Sequence, residues 1–209
     1  MEGCRGKVIS DMSMSVDGFI TGPNDDINRP LGEGGERLHE WLYGLTSWRK
    51  LHDLPGGIVN RDAEVLNESF ENAGAVLMGK RMFDVGVESW GENPPFHNPV
   101  FVVTHKEKDK LITAGGTTYT FVTDGLESAV NQARAASGEK DVMVAGGANI
   151  VQQLVTSQLL DELRIHLLPL LLGEGRRLFD QLGSEHIELE ILRVIQSPEV
   201  THLRFRIMK

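Results

Sequence analysis

Short apolar runs alternate along most of this chain with stretches whose apolar residues recur at helical spacing. Lys7 to Ser15 reads as a first strand, with Asp11 as a polar interruption. Asp17-Gly18 turns the chain, and Phe19 to Thr21 continues extended until Gly22-Pro23 breaks it. Residues 22–61 hold much of the glycine and proline, yet Glu36 to Tyr43 has the pattern of a short helix. Asp62 to Asn72 predicts another, with Ala63, Leu66 and Phe70 on one face and Asp62 in an acidic first turn. Ala73 to Gly79 is a wholly apolar strand, Lys80 to Phe83 opens the next turn of chain, and Trp90 to Pro99 reads as loop. Val100 to Val103 and Thr117 to Val122 are strands. Gly125 to Ser137 is an amphipathic helix carrying Leu126, Ala129, Val130 and Ala133. Val142 to Ala145 is a buried strand ended by Gly146 and Gly147, and Ala148 to Val155 returns to helical spacing. This alternation predicts an α/β fold with a largely parallel sheet and right-handed crossovers.

The last quarter differs. Glu162 to Leu172 predicts one long strand, in which the alternation of Leu163, Ile165 and Leu167 gives way to a solid apolar run. Pro169 within it argues for a bulge or an edge position. Glu188 to Ser197 and Thr201 to Met208 alternate with a period of two around Pro198-Glu199, the pattern of a C-terminal antiparallel hairpin.

At 209 residues, with no repeat, low-complexity tract or linker, the chain is expected to form a single domain over 1–209. A formal net charge of −9 argues against nucleic acid and anionic membrane as partners, while leaving room for a local basic pocket around one small anion. The single cysteine, Cys4, excludes an intramolecular disulfide and a cysteine-rich zinc site, so no metal is expected and a reducing cytoplasm is. No apolar run approaches the roughly 18 residues that span a bilayer. The N-terminal residues lack the apolar core of a signal peptide.

Chemistry concentrates where strands are predicted to end: Ser15 to Gly18, Met78 to Arg81, Val103 to Lys106 and Gly146 to Asn149. In an open α/β sheet, ligands bind beyond the carboxyl ends of the parallel strands. Gly146-Gly147 before a helix leaves free backbone N–H groups that favour an anion and lets a phosphate approach closely, although an ordinary tight turn has the same sequence. Lys80-Arg81 and His105-Lys106 add cations at two further ends, or are simply solvated turns. The long connection over residues 22–61 is either a lid or wall of a pocket, or a surface excursion covering an edge.

Taken together, Met12 to Ile20, Val76 to Phe83, Pro99 to His105, Val144 to Asn149 and Leu163 to Gly173 resemble the dihydrofolate reductase-like superfamily. Within it, they are most similar to the branch related to the reductase domain of bacterial riboflavin-biosynthesis deaminase-reductases. The resemblance implies a three-layer sandwich whose mixed, mostly parallel sheet is flanked by helices and binds NADPH. It implies that Gly79, Lys80, Arg81 and Met82 meet the cofactor's phosphates and that Thr104 and His105 lie beside the adenosine 2′-phosphate. Gly146, Gly147, Ala148 and Asn149 would form the diphosphate turn, backed by Ile150. Met14, Phe19 and Ile20 would wall the nicotinamide, with Thr123 bordering the adenine.

The pterin-facing acid of dihydrofolate reductases has no single counterpart; Glu36, Glu40 and Asp17 are candidates. Asp17 matches the Ser-x-Asp-Gly segment of the riboflavin branch and is the candidate catalytic residue, or else shapes its turn. No deaminase zinc motif precedes the domain, so the bifunctional arrangement is not expected. The expected activity is hydride transfer from NADPH to a pteridine or ribosylaminopyrimidine, with a non-catalytic NADP(H)-binding module of the same fold as the alternative. The resemblance also implies a homodimer, for which the apolar run Leu167 to Leu172 offers a contact.

Overall fold

A computed structural model of the chain describes residues 6–209; Cys4 and the N-terminal signal reading lie outside them. Strands β1 (Val8–Ser15) and β2 (Phe19–Thr21) flank the turn at Gly18. A 3-10 turn at Gly35–Leu38 is followed by helices α1 (Glu40–Tyr43), α2 (Thr46–Leu51) and α3 (Arg61–Asn72). Then come β3 (Ala73–Gly79), α4 (Lys80–Trp90), β4 (Val100–Val103), β5 (Leu111–Ile112), β6 (Thr118–Val122), α5 (Leu126–Ser137), β7 (Asp141–Gly146) and α6 (Ala148–Thr156). The chain closes with β8 (Glu162–Leu168), β9 (Arg176–Arg177), β10 (Leu189–Gln196) and β11 (Thr201–Ile207).

Nine of these strands form one sheet in the order β10-β11-β8-β1-β7-β3-β4-β6-β5, and β2 pairs with β9 apart from it. β8, β1, β7, β3, β4 and β6 run parallel, whereas β11 joins β8 antiparallel and carries the hairpin partner β10. The central strands read as unbroken apolar runs because both their faces are covered. Along β3, Ala75 and Leu77 point into a core shared with Ala129, Val130 and Ala133 of α5 and Ile150, Val151 and Leu154 of α6. Val76 and Met78 point the other way, against Phe83 of α4 and Tyr119 of β6. That alternation makes three layers from one heptapeptide.

Toward the hairpin, the face opposite α5 and α6 is polar and still buried. His166 and His202 meet through their Nδ1 atoms at 2.7 Å. His166 Nε2 bonds Asp11 at 2.6 Å, and His202 Nε2 bonds Asp62 at 2.9 Å. Ser69 of α3 donates to Asp11 at 2.6 Å and accepts from Arg164 at 2.9 Å, and the Trp41 ring covers both histidines. β1, β8, β11 and α3 all contribute partners, so a register slip would strand buried polar groups. The network therefore favours this pairing of β1, β8 and β11.

Three local expectations change. The helix anticipated over Glu36–Tyr43 is interrupted at His39, whose φ of −121 ends the 3-10 turn before α1 begins. Helix α2 and the short β5 follow from no pattern singled out in the sequence. β8 stops at Leu168, just before Pro169, and lies between β1 and β11, so the proline ends an interior strand and marks neither a bulge nor an edge. Leu168, Leu170 and Leu172 then turn inward onto Leu38, Trp41, Leu42, Leu45 and Leu66, leaving Leu171 exposed.

That inward cluster fixes residues 31–52 to the body of the protein. Leu38, Trp41, Leu42 and Leu45 are each at most 6% exposed. At roughly 1.5–3 kcal/mol for each large apolar side chain buried, the segment is held as a wall of the molecule.

Candidate functional site

β7, β3, β4 and β6 end on one edge of the sheet, and the chain leaving that edge borders a cleft of about 1260 Å³. Helices α4, α5 and α6 all begin there, with Gly79, Gly125 and Gly147 as their N-cap residues, and none of the three is capped by a side chain. The contrast is α3, outside this cleft, where Asn60 Oδ1 accepts the Ala63 N–H at 2.9 Å. The first turns of α4 and α6 carry no acidic residue, whereas α5 has Glu127. Unmet N–H groups and the positive ends of three helix dipoles thus border one cavity. That is a physical basis for holding a ligand with more than one phosphate.

The glycines have separate reasons. A Cβ on Gly79 would stand 2.8 Å from Ile150 Cγ1, so glycine there lets α6 pack onto the end of β3. Gly146 has φ +129, a Cβ added there would stand 3.1 Å from Met82 Sδ, and the peptide bond joining it to Gly147 is cis. Gly147 has open space where a side chain would project. Beside it, Ala148 and Ile150 are buried, and Asn149 accepts from Gln153 Nε2 at 2.6 Å.

The cleft brings together most of the residues singled out in the sequence: Ile20, Gly79 to Met82, Thr104, His105, Thr123 and Gly146 to Ile150. It leaves out four, among them the candidate acid Glu40, which pairs with Arg37 at 3.2 Å. Met14 belongs to the buried cluster under Ile20 and Ile165, and Met12, two residues earlier, lines the cleft in its place. Phe19 is 4% exposed, with the Arg177 guanidinium 4.4 Å over its ring.

Asp17 is outside the cleft lining as well. Its carboxylate accepts Ser15 Oγ at 2.6 Å and the N–H groups of Leu172 and Gly173 at 3.1 and 2.8 Å. The Ser15 bond, with these backbone donors, holds its pKa down to about 2. A carboxylate ionised and tied off in this way is a staple between the first turn and the chain after β8.

The cations are arranged differently from the sequence expectation. Arg81 is committed to Asp25 through Nε at 2.9 Å and a second nitrogen at 2.7 Å, and Arg176 grips the same carboxylate at 2.9 Å. Burial acts to raise the Asp25 pKa, but the bonds and charges of Arg176 and Arg81 outweigh it, so the group lies below its ordinary value. Lys80 pairs with Asp84 one turn along α4 at 2.6 Å. At the end of β4, Thr104 Oγ1 accepts the Lys106 N–H at 3.1 Å, bending the chain so that His105 and Lys106 both line the cleft. Neither of those side chains is held in an ion pair with a carboxylate among the described residues.

The opposite wall is one of the two readings of the 22–61 segment, with Glu36 a candidate within it; Leu31, His39, Tyr43, Trp48 and His52, which line the same cleft, were not singled out, the length of the segment being the only signal for them. Asp25 and Arg176 were also missed, since their meeting depends on β2 pairing with β9.

The family model described as RibD C-terminal domain matches residues 6–203. The uncharacterized protein YyaP of Bacillus subtilis is 24% identical over 183 residues, covering 83% of this chain and 80% of its own length. Among solved structures, a Shewanella sp. PV-4 protein provisionally assigned to riboflavin biosynthesis superposes with a TM-score of 0.69 at 20% identity, over 97% of this chain and 99% of that one. The Thermotoga maritima diaminohydroxyphosphoribosylaminopyrimidine deaminase/5-amino-6-(5-phosphoribosylamino)uracil reductase gives 0.61 at 13% identity, over 98% of this chain and 57% of that one. Enterococcus faecalis dihydrofolate reductase, solved with NADP(H), gives 0.55 at 10% identity over 98% of each chain.

Proposed function

The chain belongs to the RibD C-terminal domain family, and from that membership we propose that it is a reductase taking hydride from NADPH bound across this cleft. The observation that carries the reading is the convergence of three helix N-termini without side-chain caps on a cavity into which Gly147 opens. These groups fit the cofactor's diphosphate and phosphate, which need donors and close backbone approach more than they need arginine. Gly146 to Ile150 would hold the diphosphate, with the start of α4 beside it. Thr104, His105 and Lys106 would take the 2′-phosphate. Met12 and Ile20 offer apolar surface for the nicotinamide.

When bound, the cofactor supplies the hydride, and the protein positions both rings and excludes water. Asp17 positions the β1–β2 turn and the chain after β8 from outside the cleft. The substrate class that this family membership supports is a flat pteridine or aminopyrimidine. The test is NADPH oxidation followed optically across a panel of pteridines, aminopyrimidines and quinones. Turnover on any of the first two classes is the expected result; binding of NADPH with no turnover on any of them would replace the reductase with a nucleotide-binding module. One observation favours that second reading: the two carboxylates nearest the first turn, Asp17 and Asp25, are both tied to other groups.

A further inference from the structure

Resting on the reductase reading, we propose that the wall built by residues 31–52 receives an unphosphorylated, flat nitrogen heterocycle, and that this chain discriminates against substrates carrying a phosphate ester. Three observations converge on it. The first is the surface. Tyr43, Trp48 and His52 form a run of rings, with centroids 5.7 Å apart between the first two and 4.3 Å between the last two, and all three line the cleft. Such a run offers stacking area to a planar ligand.

The second is hydrogen bonding. Two nitrogens in this wall are buried and have no partner, Nδ1 of His39 and Nε2 of His52. Desolvation holds the His39 pKa down to about 4. A neutral imidazole carries one N–H and one bare nitrogen, so the unmet ring atoms of this wall call for a complementary donor or acceptor on the ligand, and amino- and oxo-substituted heterocycles present both on their edges. An unmet buried polar atom is costly, so a ligand that meets it gains more than one that does not.

The third is charge. The 31–52 residues lining the cleft include Glu36 and no lysine or arginine. Of the basic residues in this segment, Arg37 pairs with Glu40, Arg49 with the Pro55 carbonyl, and Lys50 is outside the cleft lining. Of the remaining cations in the lining, Arg81 and Arg176 share Asp25, Lys80 holds Asp84, and Arg177 holds the Asp17 carbonyl. His105 and Lys106, which have no such ties, stand at the end of β4, where the cofactor is proposed to lie. A phosphate ester dianion at the 31–52 wall would therefore face a carboxylate with no cation to meet it, and burying a charge unpaired is strongly unfavourable.

The test is a matched pair of ligands titrated into the NADPH-loaded protein, read by quenching of tryptophan fluorescence, since Trp48 and Trp90 both line the cleft. One ligand is a ribosylaminopyrimidine and the other its 5′-phosphate, with a free pterin as a third. The unphosphorylated ligands should bind at least tenfold more tightly than the ester, and His39→Phe should weaken them about tenfold while leaving NADPH binding unchanged. Equal or tighter binding of the ester overturns the proposal, as does the absence of saturable quenching by both unphosphorylated ligands. Tight binding without NADPH consumption would sink the reductase reading and leave this assignment standing. Turnover restricted to the ester would do the reverse.

Discussion

Replacing Gly147 by valine should abolish NADPH binding and leave the protein folded, whereas Gly146→Ala, one residue earlier, should do mainly the opposite. The two glycines share a turn but differ in surroundings. Gly147 has φ −92, accessible to any residue, and nothing within 4 Å of where a side chain would start, so valine projects into the cleft at the start of α6. There it occupies the volume a phosphate needs to reach the first N–H groups of the helix. Charge-assisted bonds of that kind contribute roughly 1.5–3 kcal/mol each. Loss of two is ~3–6 kcal/mol, hence a hundredfold or greater rise in Kd at about 1.4 kcal/mol per factor of ten.

Stability should scarcely change for this variant, by about 0.5 kcal/mol or less, as for other substitutions into open space. Gly146 has φ +129 and its added Cβ would stand 3.1 Å from Met82 Sδ. Alanine there adds backbone strain of roughly 1–3 kcal/mol. In a chain of this size that lowers Tm by on the order of 2–10 °C. Calorimetric titration with NADPH and a thermal melt of each variant separate the two effects. If Gly147→Val binds NADPH as tightly as the parent, the diphosphate is not held at this turn, whatever the reaction proves to be.

Three further outcomes are expected. Asp17→Asn should lower Tm, because amide donors replace part of an acceptor that now serves Ser15, Leu172 and Gly173, yet leave kcat on any working substrate unchanged; a large fall in kcat with unaltered Tm would restore a proton-handling role. Lys106→Ala should weaken NADPH more than NADH, with the gap narrowed by added salt, whereas Arg81→Ala should affect both cofactors alike because its guanidinium is committed to Asp25; the reverse pattern in a pair of titrations would place the 2′-phosphate at Arg81. Tm should fall as pH drops below about 6.5, since desolvation lowers the folded pKa of His202 and brings that of His39 to about 4. The unfolded chain then binds more protons than the folded one, at up to about 1.4 kcal/mol per pH unit for each such histidine. A Tm that is flat or rising from pH 7 to pH 5 would contradict this.

The layers were legible because they follow from local pattern. β3 and β7 are apolar on both faces, and the hairpin alternates around Pro198-Glu199 apart from an irregularity between Ile191 and Arg193, so element type and order could be read from a window of ten residues. The glycine turns at the ends of β3 and β7 were legible for the same reason. What escaped depends on residues far apart in sequence. The partners of the Asp17 carboxylate include N–H groups 155 and 156 residues away, and those of Asp25 lie 56 and 151 residues away. No short-range signal distinguishes an aspartate that donates protons from one that staples two loops. The choice of Met12 over Met14 is likewise set by what packs above each, since both point to the same face of β1. The 31–52 wall carries its meaning only once Leu168, Leu170 and Leu172 are seen to anchor it.

The most direct measurement is amide hydrogen exchange of the intact protein with and without saturating NADPH. If the cofactor lies on the three helix starts that lack side-chain caps, protection should rise at residues 80–83, 125–128 and 147–151, and at 104–106 with NADPH more than with NADH. The N-terminus of α3, capped by Asn60, should exchange unchanged. Protection confined to other segments, or absent from 147–151 at saturation, would contradict the assignment of this cleft to the cofactor.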